Sequence, residues 1–419
     1  MIKRIVIGIF CLFTAFAVFA SGESEETITF WTMPNAPDSV HLAWMEEKIA
    51  EFYEETGIRV EYETVGWGDA WQRISTAIAT GEGVDVFQVG TTWNPQFAAT
   101  GGLSELNIDN FGGNEAFMSA NLDSAMYEGD CYGIPWFAET RVLFYNEEMF
   151  DAAGVEPPQT QAELLEAGEA IVAEFGEGSA ISLAGTNAWD LIHNWAIILW
   201  SRGGDVVNDS YTEAAFNGSA GVNAMNWYIE LFRRGLAADA CAEYNQPQAD
   251  SAFINGNVAM CYMGPWNIAN IEDENPDLSY GIVEPPAGPE VRASFSGGSN
   301  LVILGASEHQ EAAQQWINFL METENLVDYC QNLTHMLPAA VDAYNDPYYQ
   351  SGMWATFKET LDYATAYPAL SVWGDIENAI QTEFRNIITD YVNGNFDENT
   401  AQEYLNTAAD HVNAALENE

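Results

Sequence analysis

The chain has 419 residues, of which 48% are hydrophobic, so two or three domains are expected and general disorder is excluded. Sixty-three Asp and Glu outnumber 12 Lys and Arg, for a formal net charge of −51. Nucleic acid, anionic lipid and heparin-like polymers each need a basic face, so such a surface excludes them as partners.

Lys3-Arg4 precede an apolar stretch from Ile5 to Phe19, and Val18-Phe19-Ala20 offers small or aliphatic residues at a cleavage point. Residues 1–20 therefore read as a secretory signal peptide. Cys11 lies mid-stretch behind the bulky Phe10, where lipid attachment needs a small residue, so no lipid anchor is expected. No other segment holds the ~20 uninterrupted apolar residues of a membrane span. The expectation is a soluble exported protein, periplasmic or extracellular. Its acidity would suit a salty or alkaline habitat, where salt screens self-repulsion.

After the acidic start Ser21 to Glu26, Thr27 to Trp31 predicts a strand. Leu42, Met45, Ile49 and Phe52 recur at helical spacing, and Gly57 closes that helix. Arg59 to Val65 alternates as a second strand, Trp71, Ile74 and Ile78 mark a second helix, and Val84 to Val89 reads as a buried strand. This order argues for a parallel sheet with crossover helices. Tyr132 to Trp136 and Arg141 to Tyr145 follow, the second a strand with aromatic weight. Helices are expected at Gln161 to Phe175, over residues 188–201 and at Val222 to Phe232. Strands are expected at Val258 to Met263, Ser279 to Val283 and Ala293 to Leu304, with a Pro-rich crossing from Glu284 to Pro289. The tail is helical: Glu311 to Met321, Glu324 to Gln331, then the stripe Ile376, Ile380, Phe384, Ile387, Tyr391, and finally Leu405, Ala409, Val412, Leu416.

No nucleophile elbow, zinc-protease motif, P-loop or dinucleotide fingerprint occurs. Ser296-Gly-Gly-Ser299 lacks the lysine of a phosphate cradle, and the five histidines form no ligand pair. Neither a metal nor a cofactor is expected. Cys131, Cys241, Cys261 and Cys330 allow three full pairings, and their spacing selects none. Cys261 lies inside an apolar run and reads as a small buried hydrophobe. Carboxylates are too numerous for an acid pair to be singled out by sequence. The 14 tryptophans say more. Trp31, Trp67, Trp93, Trp136, Trp266 and Trp373 all fall where strands or turns end. Singly, each reads as a core or rim residue. Together they suit the loop mouths where open sheets bind ligands, and flat aromatic faces suit the C–H faces of sugars or a ligand cation.

Several stretches carry a family resemblance: Ile28-Thr-Phe-Trp31; Gly83 to Trp93 followed by Phe97 to Leu103; Tyr132 to Trp136 with Glu139 to Asn146; Phe253 to Trp266; Phe295 to Leu301; and the Trp316 to Leu320 helix running on to Leu337-Pro338. In that order, over essentially the whole mature chain, the sequence resembles the extracellular solute-binding proteins of bacterial ABC sugar importers, the maltodextrin-binding group among them. The resemblance implies the two-lobed α/β fold of periplasmic binding proteins (type II). It implies an N-terminal lobe of residues 27–138 and 293–338 and a C-terminal lobe of 142–284 and 345–419, with hinge segments near 139–142, 284–292 and 338–344. It implies a monomer that closes on a sugar or oligosaccharide and docks on ABC permease subunits in the membrane.

Carried over by position, Trp266 matches a stacking tryptophan and Trp373 a second aromatic platform. Trp93 and Asn94 match a loop that hydrogen-bonds sugar, and Glu139 a carboxylate at the lobe crossing. Trp31, Trp67 and Trp136 are further platforms, and Asn267 lies at the helix start beside Trp266. Arg141 reads equally as a ligand contact or a structural ion pair, and Asn300 and Gly298 as a close backbone approach or a tight hinge bend. The family resemblance implies lysine-rich helix surfaces in many members, where this chain has Glu, Asp, Gln and Asn, which leaves the permease-docking charges open. A binding protein for a cationic ligand such as a polyamine and a secreted glycoside hydrolase are the alternative readings.

Overall fold

A computed structural model describes residues 26–185, 188–397 and 399–419; the expected signal peptide lies outside the described residues. Thr27–Thr32, Arg59–Thr64 and Val86–Gly90 pair in parallel, joined by the helices Asp38–Thr56 and Trp67–Thr80. Gly57 ends the first helix at φ 74, its amide bonded to the Tyr53 carbonyl, a conformation in which a side chain would be strained.

The sheet is mixed, not purely parallel. Ser296–Ile303 returns from far along the chain and runs antiparallel between Val86–Gly90 and Ile134–Thr140. Leu337–Pro338 forms the edge, giving six strands in all. One face of this sheet buries Phe30, Trp136, Trp316 and Tyr329, and the other Phe87, Val89, Trp93 and Phe97.

A second, four-stranded sheet holds Tyr280–Val283, Val142–Asn146, Met260–Met263 and Ile181–Ser182. Val142–Asn146 is antiparallel to both of its neighbours, and Ile181–Ser182 is parallel to Met260–Met263. The helices Ala188–Trp200, Ser219–Arg233, Trp373–Val392 and Thr400–Leu416 bury the largest core here, with Trp195 edge-on to Phe384 at 4.4 Å. Of the expected stripe, Ile376, Ile380, Phe384 and Ile387 are fully buried in it, and Tyr391 packs partly buried against it.

Arg141 alone separates Thr140, the last residue of its strand in the first sheet, from Val142, the first of its strand in the second. Hydroxyls pin this passage: Thr140 Oγ1 donates to the Phe295 carbonyl at 2.8 Å, and Ser294 Oγ donates to the Arg141 carbonyl at 2.7 Å. Thr365 joins them, donating its amide to the Ser294 carbonyl and accepting from the Ser296 amide. A third apolar cluster, including Ala138, Leu337, Phe144, Phe253 and Trp354, packs across the same junction. Two sheets joined through so narrow a neck leave a cleft between them.

Cys131, Cys241, Cys261 and Cys330 are buried and form no disulfide among the described residues. Among the described residues, no helix is long and apolar enough to cross a membrane, and no group of three or more His, Cys, Asp or Glu could hold a metal ion.

Candidate ligand-binding cleft

The cleft at the lobe junction encloses about 660 Å³. Six of the twelve expected contact residues line it: Trp67, Trp93, Glu139, Arg141, Trp266 and Gly298.

On the first-lobe wall, Trp67 opens its helix and donates Nε1 to the Pro34 carbonyl at 3.0 Å. Its ring meets Trp93 edge-on at 5.8 Å, and Trp71 meets Trp93 from another side at 5.4 Å. Trp71 itself stacks on Phe97 at 4.7 Å, so the aromatic wall is fixed from behind. Gln88 accepts from the Met33 amide and from Asn35 Nδ2, and donates to Ser299 Oγ at 2.8 Å. Gly298 sits at φ 140, and a Cβ there would overlap the Phe137 carbonyl oxygen, so strand contact requires glycine at this point.

On the second-lobe wall, Trp266 follows the strand Met260–Met263 and is half-buried. Its ring folds back over Gly264: a Cβ on that glycine would overlap Cζ3 and Cη2 and lie 2.5 Å from Cε3. The Arg141 guanidinium stands 4.6 Å from the ring centroid. Trp266 also packs against the first-lobe core, so it sits where the two lobes meet. Arg141 Nε lies 3.5 Å from Glu139 Oε2, and both side chains are largely buried.

Sequence reasoning missed the amide–carboxylate network behind this wall. Gln246 Nε2 donates to Asp250 Oδ1 at 2.6 Å, Asn267 Nδ2 donates to Asp250 Oδ2 at 3.0 Å, and Asn194 Nδ2 donates to Gln246 Oε1 at 2.9 Å. Asn270, also at the cleft, bonds to Asn267. His193 was missed as well. It lines the cleft, stacked on Phe295 with ring centroids 4.0 Å apart. Burial, helped by the Arg141 charge, holds its pKa well below the ordinary histidine value, so the ring is neutral. The one available signal was a lone imidazole in the apolar helix Ala188–Trp200.

The other six expected residues lie elsewhere. The Trp31 ring packs under Arg73 at 4.2 Å, which is paired with Glu63, beside a separate outer groove. Trp136 is wholly buried, stacked on Tyr329 at 4.1 Å. Asn94 is buried at a helix start, where a Cβ on Gly133 would lie 2.7 Å from its Oδ1. Asn300 donates to Ser124 Oγ at 3.1 Å, and Asn267 holds Asp250 from behind. Trp373 stacks on Tyr367 at 4.5 Å and donates Nε1 to Glu377 at 2.8 Å, leaving it 1% exposed. All six are buried among interior neighbours, and none lines the cleft wall.

Comparison with known proteins agrees with this architecture. The diacetylchitobiose binding protein DasA of Streptomyces coelicolor is 28% identical over 310 residues, covering 72% of this chain and 71% of that protein. An ABC transporter solute binding protein from Thermotoga lettingae, solved with alpha-D-tagatose bound, superposes with a TM-score of 0.83 at 26% identity, covering 93% of this chain and all of that one. The GacH receptor of Streptomyces glaucescens, solved unliganded and with acarbose, shares the fold with a TM-score of 0.81 at 24% identity, covering 94% of this chain and 99% of that one. The two solved structures are two-lobed binding proteins, and the α/β architecture found here is theirs. A family profile matches residues 36–326, well over half of the chain, and the protein therefore belongs to the bacterial extracellular solute-binding protein family.

Proposed function

We propose that this protein is the substrate-binding component of an ABC importer, capturing a neutral sugar or oligosaccharide between its lobes and delivering it to the membrane permease. The observation that carries this reading is the make-up of the cleft. Aromatic rings on opposite walls, Trp67 and Trp93 against Trp266, face a space bordered by amides and two carboxylates. Rings cover the C–H faces of a pyranose and the polar groups bond its hydroxyls. The sugars bound to the relatives support it.

Charge supports a neutral ligand. Glu139 and Asp250 face one guanidinium and one neutral imidazole, so the lining carries too little positive charge to draw an anion. The cation position over Trp266 is already taken by Arg141, which argues against a polyamine. Both oxygens of Asp250 accept from side-chain amides of the wall behind the cleft, which ties this carboxyl to the scaffold and argues against a glycosidase's acid.

The narrow neck supports lobes of residues 27–138 with 293–338 and 142–284 with 345–419, closing as rigid bodies on the ligand. A monomer exported by a cleaved signal peptide, acting in the periplasm or outside the cell, completes the reading. Thermal unfolding against neutral oligosaccharides and polyamines tests it. A cognate sugar at a hundred times its Kd adds about 2.7 kcal/mol and raises Tm. Stabilisation by polyamines alone, or turnover of a stabilising glycan, would defeat the proposal.

A further inference from the structure

We infer that His193 is a ligand-contacting, specificity-determining residue that hydrogen-bonds a sugar hydroxyl through Nε2. The inference rests on the sugar-binding reading above and adds to it a contact that the sequence comparison with the family did not mark. An imidazole inside an apolar helix is costly to bury unless its nitrogens find partners. His193 is 6% exposed, its Nδ1 lies 3.0 Å from the Tyr367 hydroxyl, and Phe295 covers one face at an interplanar angle of 11°. Among the described residues Nε2 has no protein partner, while the residue reaches the cleft beside Arg141 and Glu139. A ring clamped on one face and at one nitrogen offers its other nitrogen in a fixed direction.

The partner at Nδ1 makes the contact suit a hydroxyl. If the Tyr367 hydroxyl donates to Nδ1, Nε2 carries the proton and donates. If that hydroxyl accepts, Nε2 is the acceptor. A sugar hydroxyl can answer either tautomer, so the pair adapts without any charge change. Burial keeps the Tyr367 phenol protonated and the imidazole neutral, so both retain these roles. Tyr367, stacked in turn on Trp373 at 4.5 Å, acts as the positioning residue.

The test uses the full mature protein with maltotriose and N,N′-diacetylchitobiose as probes, read by calorimetry and by 15N spectra of the histidine side chains. The chain has only 5 histidines, and His193→Gln assigns the signal. Binding of a probe to wild type is expected to shift the His193 Nε2 resonance. His193→Phe is expected to lose about tenfold to a hundredfold in affinity, the equivalent of one lost hydrogen bond in a closed site. His193→Gln, which restores a polar atom near Nε2, should recover part of that loss. A probe that binds wild type while leaving the Nε2 resonance unmoved overturns the assignment, even if the Phe variant misfolds. So does a His193→Phe variant that binds as tightly as wild type. If neither probe nor any other neutral oligosaccharide binds wild type, the sugar reading itself has failed and the assignment falls with it.

Discussion

Gly264→Ala is a one-carbon change that should move the Trp266 platform. The backbone at Gly264 is not left-handed, so alanine brings no conformational strain. Its methyl would overlap Cζ3 and Cη2 of Trp266 and lie 2.5 Å from Cε3. Restoring an ordinary carbon contact of ~3.5 Å moves the ring by at least about 1 Å at Cε3, and further at Cζ3. The ring cannot retreat freely, because the Arg141 guanidinium stands 4.6 Å from its centroid and the first-lobe core packs against it. Overpacking of this kind costs about 1–3 kcal/mol. The displaced platform should lose about tenfold in ligand affinity, or ~1.4 kcal/mol. Urea unfolding gives the stability term and calorimetric titration with the best oligosaccharide gives the affinity. A double-mutant cycle isolates the cause: on a Trp266→Ala background the methyl meets no ring, so its cost should fall below about 0.5 kcal/mol. If Gly264→Ala unfolds with the wild-type midpoint and binds as wild type, the ring does not lie over this glycine and the reasoning is wrong.

Arg141→Met should destabilise by about 3 kcal/mol, because it leaves the largely buried Glu139 carboxylate without its guanidinium; a urea midpoint within error of wild type would contradict this. His193 should give stability a pH slope. Its folded pKa is depressed, so below about pH 6.5 the unfolded chain takes up a proton that the folded one refuses. Stability is then intact above that pH and falls on acidification by up to about 1.4 kcal/mol per pH unit until the folded value is reached. Urea midpoints at several pH values should show that slope in wild type and its loss in His193→Gln, with Arg141 and Tyr367 still in place beside the site. With a formal net charge of −51, Tm should rise as salt approaches 1 M, where the Debye length is about 3 Å; a falling Tm would refute the link between acidity and a salty habitat.

Periodicity carried much of the fold into the sequence. The first helix was expected to close at Gly57 and does so, and the Ile376-to-Ile387 stripe is buried as its spacing required. Mixed sheet polarity was not legible, because Ser296–Ile303 enters from a distant part of the chain and nothing local states its direction. The site divided for a similar reason. Trp136 and Trp266 both follow a proline close to an apolar strand, yet Tyr329 stacks on the first and seals it in the core. Trp266 instead lies over a glycine and opens on the cleft. Which face a ring presents depends on partners far away in sequence. Asp250 was invisible for another reason: one buried carboxylate does not stand out among 63 acidic residues. His193 escaped because its partners, Phe295 and Tyr367, come from distant segments.

The central claim is that the cleft between the lobes holds a neutral sugar against Trp266. Calorimetric titration of wild type and Trp266→Ala with the oligosaccharide that most raises Tm tests it most directly. The account predicts saturable one-to-one binding to wild type and at least about a tenfold weaker Kd for the variant, a loss of ~1.4 kcal/mol. Equal affinity for the two proteins would contradict it.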